Sequence, residues 1–483
     1  MRRIFFVCAL TIAAAGCSQR RPDTGFEAIQ GNAHALTGHD LTWRLGESTA
    51  CGGQPAQLPG GKQLSLNDAV ELALLNNPSL QATYEELGLA NADVMQAGIF
   101  KNPVIYADGK FPNQPGMGVK SDLSLAFDFI DLILIPLRKK VEGLRFEAAK
   151  TRIVSEVVKA VAETDQAWFQ LAAEQAKLDA RKKLLESAEA SAEFAQKLAK
   201  SGNMAELSTI PRVAAVHQAK LDLSRQEFEA SRAREKLSRL MGVNAAPAAP
   251  ATPASSVEWS VARRLPELPA SDGLPGADEV VAAALQARLD LETQRQEIAV
   301  LEKTRGLKAW GVYTAAQLGA ASEHEPDHVW LTGPSLQLDL PLFNRGQADR
   351  ARLEAQLRLT RQKLAAMEAD ARSEVRELLL RLSTGRAAVD YYLKTVLPLR
   401  QRAVDLTLEQ YNIMTMSALD LLDAKHEQLL AEIELTDATR DYWQTRVELA
   451  RATGGNLGRL MNQADAPAPT SGNAGPETQP DPK

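Results

Sequence analysis

Three separated stretches of this chain recur at an almost constant distance, and that duplication limits its fold more than any single motif does. The strand-like SLAFDF of Ser124–Phe129 returns as SLQLDL at Ser335–Leu340, a shift of 335 − 124 = 211 residues. The same shift carries Asn77 onto Arg288 and Leu80 onto Leu291, within LSLNDAVELALLNNPSLQ from Leu64 and GADEVVAAALQARLDLE from Gly276. Near the ends of the two halves, Met204, Leu207, Leu223, Arg234, Leu237, Arg239 and Gly242 fall on Met416, Leu419, Leu435, Arg446, Leu449, Arg451 and Gly454, where 454 − 242 = 212. The chain reads as a tandem duplication, with repeats at 64–244 and 276–455.

Each repeat spells the same order of elements. A helix pattern comes first, at about Leu66–Phe100 and Asp278–Lys308. Two strand-like pieces follow: Pro103–Lys110 and Val119–Phe129 around FPNQPGMG, then about Ala309–Leu318 and His328–Leu340 around GAASEHEPD. A very long helical region, broken once, closes each repeat near Gly242 or Gly454, residues suited to C-caps. Ile153, Val157, Val161, Thr164, Trp168 and Leu171 step by fours and threes, the narrow stripe of a coiled coil. Continuous helix from Arg138 to Lys200 would extend roughly 90 Å, which suits a span or a duct. Aromatics at only 5% agree with helices packed through thin seams. The Pro/Ala-rich 245–275 reads as linker, and 456–483 has the composition of a disordered tail. The expected class is mainly α with a small β part.

The strands carry a two-faced pattern. Leu123, Leu125, Phe127 and Phe129 alternate with Asp122, Ser124, Ala126 and Asp128, and Leu336, Leu338 and Leu340 alternate with Ser335, Gln337 and Asp339. Strands of about 9 to 11 residues cross an outer membrane, and Trp310, Tyr313, Trp330, Tyr106 and Phe343 are candidates for aromatic girdles. A small soluble sheet with one wet face gives the same alternation. Four strands cannot close a transmembrane barrel, whose smallest members have about eight, so membrane insertion requires several chains to share one barrel.

The N-terminus reads as an export signal, residues 1–16. Arg2 and Arg3 precede the apolar run Ile4–Ala15, which is shorter than the roughly 20 residues of a spanning helix. Ala14-Ala15-Gly16-Cys17 resembles a bacterial lipobox, with Ala14 where Leu is usual, and implies lipid attachment at Cys17. Ser18 after it, by resemblance to bacterial lipoproteins, favours the outer membrane. Residues 17–63 would then be a lipid-anchored N-terminal segment. Cys8 leaves with the signal, and Cys51 has no intrachain partner left.

With duplication, paired strands and long helices together, residues from about Leu64 to Gly455 resemble the TolC-like outer-membrane efflux duct family, in the lipoprotein branch that works with RND pumps. LNDAVELALLNNPSL is similar to that family's opening helix, whereas the second copy has Leu289 where Pro is usual. YNIMTMSALDLLDAKHEQLLAEIEL, from Tyr411, resembles the motif at the periplasmic tip, with Met414 where Gly is usual. The resemblance implies a homotrimer with a twelve-stranded barrel, four transmembrane strands per chain, and an α-helical tunnel across the periplasm. It also implies a passive exit duct docked to a periplasmic adaptor and an RND-type inner-membrane pump. Matching the tip motif places pore-narrowing carboxylates at Asp420 and Asp423, which share a helix face. The first copy has Ser208 and Pro211 there, and a tip Arg that links some relatives is Met416 here.

Other chemistry is thin. EHEPDH, Glu323–His328, sets two His among three acids in an expected extracellular loop, a conceivable metal site but more simply a polar loop. His217 and His426 are isolated on helix patterns, and His34 and His39 lie in a segment without a motif. There is no GxxxxGK[ST], HExxH, CxxC or GxSxG, so neither enzyme nor cofactor is expected. A net charge of −6 without a basic block gives no footprint for nucleic acid. The alternative to a duct is a lipid-anchored periplasmic coiled-coil adaptor or scaffold.

Overall fold

A computed structural model describes residues 25–43, 63–111, 113, 118–243, 259–310, 316–327, 329–338, 340 and 342–455. The signal segment, Cys17, Cys51, Tyr313, His328, Asp339 and the tail lie outside the described residues. The described chain divides into two compact units, and each draws on both repeats. One holds Tyr84–Ile153 and Gln296–Arg358 with residues up to Gly31; the other holds Asn32–Thr83, Val154–Arg295 and everything from Leu359 onward.

Helix α1 (Phe26–Thr37) precedes the first repeat. The repeat opens with β1 (Gln63–Leu64), α2 (Leu66–Asn76) and α3 (Pro78–Ala97). Strands β2 (Val104–Lys110) and β3 (Lys120–Asp128) follow, then α4 (Asp131–Lys200) and α5 (Glu206–Leu240). After β4 (Ser260–Val261) come α6 (Ala277–Ala287), α7 (Leu289–Trp310), β5 (Ala316–His324) and β6 (Trp330–Leu338). The chain ends in α8 (Gln347–Tyr391), a π-helical turn (Tyr392–Val396), α9 (Leu397–Asn412) and α10 (Ala418–Ala452). Pro398 has no N–H for the Lys394 carbonyl and would press its ring on that group, and the widened turn sits at that point.

Two sequence expectations need correction. The opening helix of each repeat is two helices, because Asn77 and Arg288 both adopt an extended conformation (φ −64°, ψ 113° and φ −64°, ψ 120°). Of the strand expected at Ala309–Leu318, Ala309 and Trp310 instead end α7, and Ala316–Leu318 open β5, which runs on to His324. The small residues Gly319, Ala320 and Ala321 look like turn in the sequence but belong to β5. A Cβ on Gly319 would run into the Leu125 carbonyl and lie 2.9 Å from Ser335 Oγ, so the glycine permits close strand approach.

In the unit that holds the sheet, four antiparallel strands run in the order β2-β3-β5-β6. The register pairs Leu125 with Ile105 on one side and Ala320 on the other, and Leu318 with Leu336.

In the second unit the long helices bury the predicted seam. Val157, Thr164, Trp168 and Leu171 are all buried, and the Thr164 hydroxyl is satisfied by the Ala160 carbonyl at 2.8 Å. Trp168 Nε1 donates to the Leu64 carbonyl at 3.1 Å, which ties β1 to α4. Strand β1 pairs in parallel with β4, so the linker after the first repeat returns to where that repeat begins. The linker continues as a strap over the second repeat. Trp443 Nε1 donates to Pro266 O, Arg386 to Pro269 O and Ala270 O, and Tyr442 Oη to Asp272. Charged groups also join the repeats: Lys177 on α4 reaches Asp437 on α10 at 2.9 Å, beside Arg440 at 2.6 Å from the same carboxylate.

Gly242 and Gly454 end α5 and α10 with φ of 67° and 72°. A Cβ on Gly242 would collide with the Asn76 carbonyl, and one on Gly454 with the Ala287 carbonyl. Both reasons exclude a side chain. Gly242→Ala and Gly454→Ala should each destabilise the purified chain by about 2 kcal/mol or more, read as a lowered thermal midpoint. An unchanged midpoint for either would contradict the close approach.

Candidate functional site

The N-terminal ends of α5 and α10 carry the residues that the sequence singled out. Ser417 caps α10: its hydroxyl accepts from Asp420 N at 3.3 Å, and Asp420 Oδ2 accepts from Ser417 N at 2.9 Å. The Ser417 hydroxyl adds a 2.8 Å bond to the same oxygen. Asp420 is thus an exposed anion built into a capping box. The Ser417 donors, with Arg212 nearby, hold its carboxyl below the usual carboxylate range.

Asp423 is engaged elsewhere. Arg212, in α5 of the other repeat, grips it with both guanidinium nitrogens, Nη1 to Oδ1 and Nη2 to Oδ2 at 2.7 Å. Arg212 also lies 3.4 Å from Ser191 Oγ, so one side chain spans α4, α5 and α10. The two carboxylates share a helix face as expected, yet each has its own partner and only Asp423 has a bidentate counter-ion. The motif comparison missed Arg212 because it lies one residue beyond Pro211, the repeat equivalent of Asp423.

The turn before α10 is strained. Thr415 N bonds Gln410 O at 3.0 Å and Met414 N bonds Tyr411 O at 2.9 Å, a Schellman closure of α9. That motif needs a left-handed residue, and Met414 supplies it at φ 60°, the one non-glycine with positive φ among the described residues. The first repeat builds the same closure with Gly202 at φ 78°, through Asn203 N to Leu198 O and Gly202 N to Ala199 O. The positions correspond, since 414 − 202 = 212. The Met414 side chain is 92% exposed and has no visible packing compensation.

The sheet is the second feature. Register puts Ile105, Leu123, Leu125, Phe127, Leu318, Leu336 and Leu338 on one face, every one of them exposed. The opposite face holds Asp122 directly between Asp108 and Glu323, with Lys110 bridged to Asp108 at 3.2 Å and Lys120 bridged to Glu323. Trp330 lies on the apolar face, but Tyr106 pairs with Ser124 on the polar face, and Trp310 ends a helix. Of the girdle candidates, register therefore places Trp330 on the apolar face and Tyr106 on the polar one. In the EHEPDH stretch, Glu323 is taken by Lys120, and the His324 ring packs against Trp330 at a tilt of 55°, centroids 4.7 Å apart, while its Nδ1 meets Val119 O at 3.2 Å. Among the described residues no three His, Cys, Asp or Glu side chains are grouped to hold a metal, and no helix is long and apolar enough to cross a membrane.

Met414→Gly should raise stability by about 1 kcal/mol, whereas Met414→Ala, which keeps a Cβ in the left-handed region, should give no such gain. Comparing the two thermal midpoints checks this. The Asp420 cap also has a definite pH signature. Its folded pKa lies below the unfolded value of about 3.9, so its contribution is complete above about pH 4 and is lost as pH falls through the lowered pKa. The stability gap between the parent chain and Asp420→Asn should accordingly be about 0.5 kcal/mol at neutral pH and shrink in acid.

Residues 284–455 match the family described as outer membrane efflux protein. No curated protein matches the chain by sequence. Among solved structures, a membrane protein from Pseudomonas aeruginosa aligns with a TM-score of 0.63 at 19% identity, over 80% of this chain and 93% of that one. The Campylobacter jejuni CmeC outer membrane channel aligns with a TM-score of 0.63 at 16% identity, over 89% and 98%. The open state of the Neisseria gonorrhoeae MtrE outer membrane channel gives 0.59 at 17% identity, over 82% and 90%. At these identities the structural likeness establishes the fold, and the family match covers the second repeat. The second repeat thus carries the match to the outer membrane efflux protein family, and the chain as a whole shares the fold of these outer-membrane channels.

Proposed function

We propose that this chain is the outer-membrane exit duct of a tripartite efflux system, conducting passively what an inner-membrane pump and periplasmic adaptor deliver. The observation that carries this reading is the one-sided sheet. Seven large apolar side chains and Trp330 stand exposed on one face, the other carries Asp108, Asp122, Glu323, Lys110 and Lys120 beside Val104, Tyr106 and Leu331, and among the described residues β2 and β6 each pair on one side only. An apolar face of this kind calls for a cover. Lipid supplies one only if every strand edge is paired, and three copies side by side would join four strands each into a closed twelve-stranded barrel. The long helices of α4, α5, α8 and α10 would then line a tunnel into the periplasm.

The resemblance of Ala14-Ala15-Gly16-Cys17 to a lipobox supports lipid attachment at Cys17 and pairing with an RND-type pump. In a three-fold assembly Asp420 and Asp423 would become rings of carboxylate at the α10 ends, with Arg212 reducing the net charge that Asp423 contributes. Extraction tests the reading. An outer-membrane fraction should release a detergent-stable trimer, whereas a monomer stripped by urea would favour a lipid-anchored scaffold. In planar bilayers, Asp420→Ala with Asp423→Ala should raise conductance or weaken cation selectivity, and Arg212→Ala should strengthen cation selectivity. Traces identical to the parent would refute the pore assignment.

A further inference from the structure

We propose that the second repeat breaks its opening helix with an ionic clamp built on Arg288, where the first repeat uses a proline, and that this break is a hinge. The two breaks have the same backbone. Asn77 and Arg288 share φ of −64°, and their ψ values are 113° and 120°. Their causes differ. In the first repeat Pro78 follows, and its ring disfavours helical geometry at Asn77. Asn77 Oδ1 then caps α3 by accepting Ser79 N at 3.0 Å. That corner is set by covalent structure and one neutral cap.

Nothing comparable precedes α7. Leu289 imposes no restriction on Arg288, Arg and Leu are good helix formers, and a cation at a helix N-terminus opposes the helix dipole. The side chains make the corner instead. Arg288 Nε and Nη2 donate to Asp290 Oδ1 and Oδ2 at 3.1 and 2.8 Å, and Nη1 donates to Glu374 Oε2 on α8 at 2.5 Å. The other Glu374 oxygen accepts from Arg451 Nη2 on α10 at 2.7 Å. Asp290 Oδ1 accepts its own neighbour Leu291 N at 2.8 Å, taking over the capping role that Asn77 fills in the first repeat. The Arg288 side chain is only 12% exposed, so the fork is largely withdrawn from water. Burial alone would push the Asp290 carboxyl up, yet the Arg288 guanidinium and the Leu291 N–H hold it below its ordinary value.

The clamp also reaches the close of the repeat. Arg451 lies in the last turn of α10, three residues before Gly454, whose backbone rests on the Ala287 carbonyl. Releasing Arg288 would let α6 and α7 approach one continuous helix, which moves that carbonyl and loosens the end of α10. The first repeat has no such release, because Pro78 cannot be unpaired.

Hydrogen–deuterium exchange on the full chain in detergent tests this. Arg288→Ala should speed exchange across the α6–α7 junction about tenfold and leave the α2–α3 junction unchanged. Adding Leu289→Pro should restore protection, since the first amide of α7 has no intrahelical partner to lose. Arg288→Lys, which keeps the charge but not the fork, should behave like the alanine variant. Of the two junctions, only α6–α7 should exchange faster in high salt. If Arg288→Ala does not fold, recovery of a folded, protected chain in Arg288→Ala/Leu289→Pro supports the clamp. Unaltered exchange in Arg288→Ala, or failure of the proline to restore it, would overturn the proposal.

Discussion

Two glycines in left-handed conformation, each pressed on a carbonyl of a broken helix, decide how the repeats close. Gly242 sits on Asn76 and Gly454 on Ala287, and no Cβ fits at either contact. Because a carbonyl at a helix end projects beyond the last turn, this contact exists only if the opening helix actually stops there. The breaks at Asn77 and Arg288 and the glycine ends of α5 and α10 are therefore one structural device, used once per repeat. The buried stripes of α4 and α10 then have a fixed register to pack in.

Duplication preserved that geometry while changing its chemistry. The first break depends on the stereochemistry of Pro78; the second depends on an Arg288 fork shared between Asp290 and Glu374. The turns before α5 and α10 differ in the same sense. Gly202 takes the left-handed position freely, whereas Met414 takes it under strain. In both comparisons the second repeat carries the costlier solution, so its helix ends are the less firmly held of the two.

The sheet follows a different rule. Its alternation separates an exposed apolar face from a face carrying Asp108, Asp122, Glu323, Lys110 and Lys120. Like charges directly opposite on neighbouring strands repel, and the two lysines answer that repulsion within the face itself. No charge is spent on the apolar face, which fits a surface that meets hydrocarbon on assembly.

Much of this was legible in the chain. The repeat, the helical class, the two-faced strands and the glycine ends follow from spacing, because hydrophobic period and glycine placement act locally along the sequence. Strand position in the second repeat was not legible, since the small residues of β5 carry little alternation and their role is to admit a neighbour. Nor was the face on which Tyr106 lies, which register alone sets. The candidate carboxylates could be named, but not what they touch. Asp420 is absorbed by its own helix cap, which sequence can suggest, while Asp423 meets Arg212 from the other repeat, 211 residues away. The sequence by itself determined the local conformations and their order. Only the tertiary structure decided the partners of Asp423, Arg288 and the closing glycines, because each is selected by which distant backbone or charge the folded helices bring within a few ångströms.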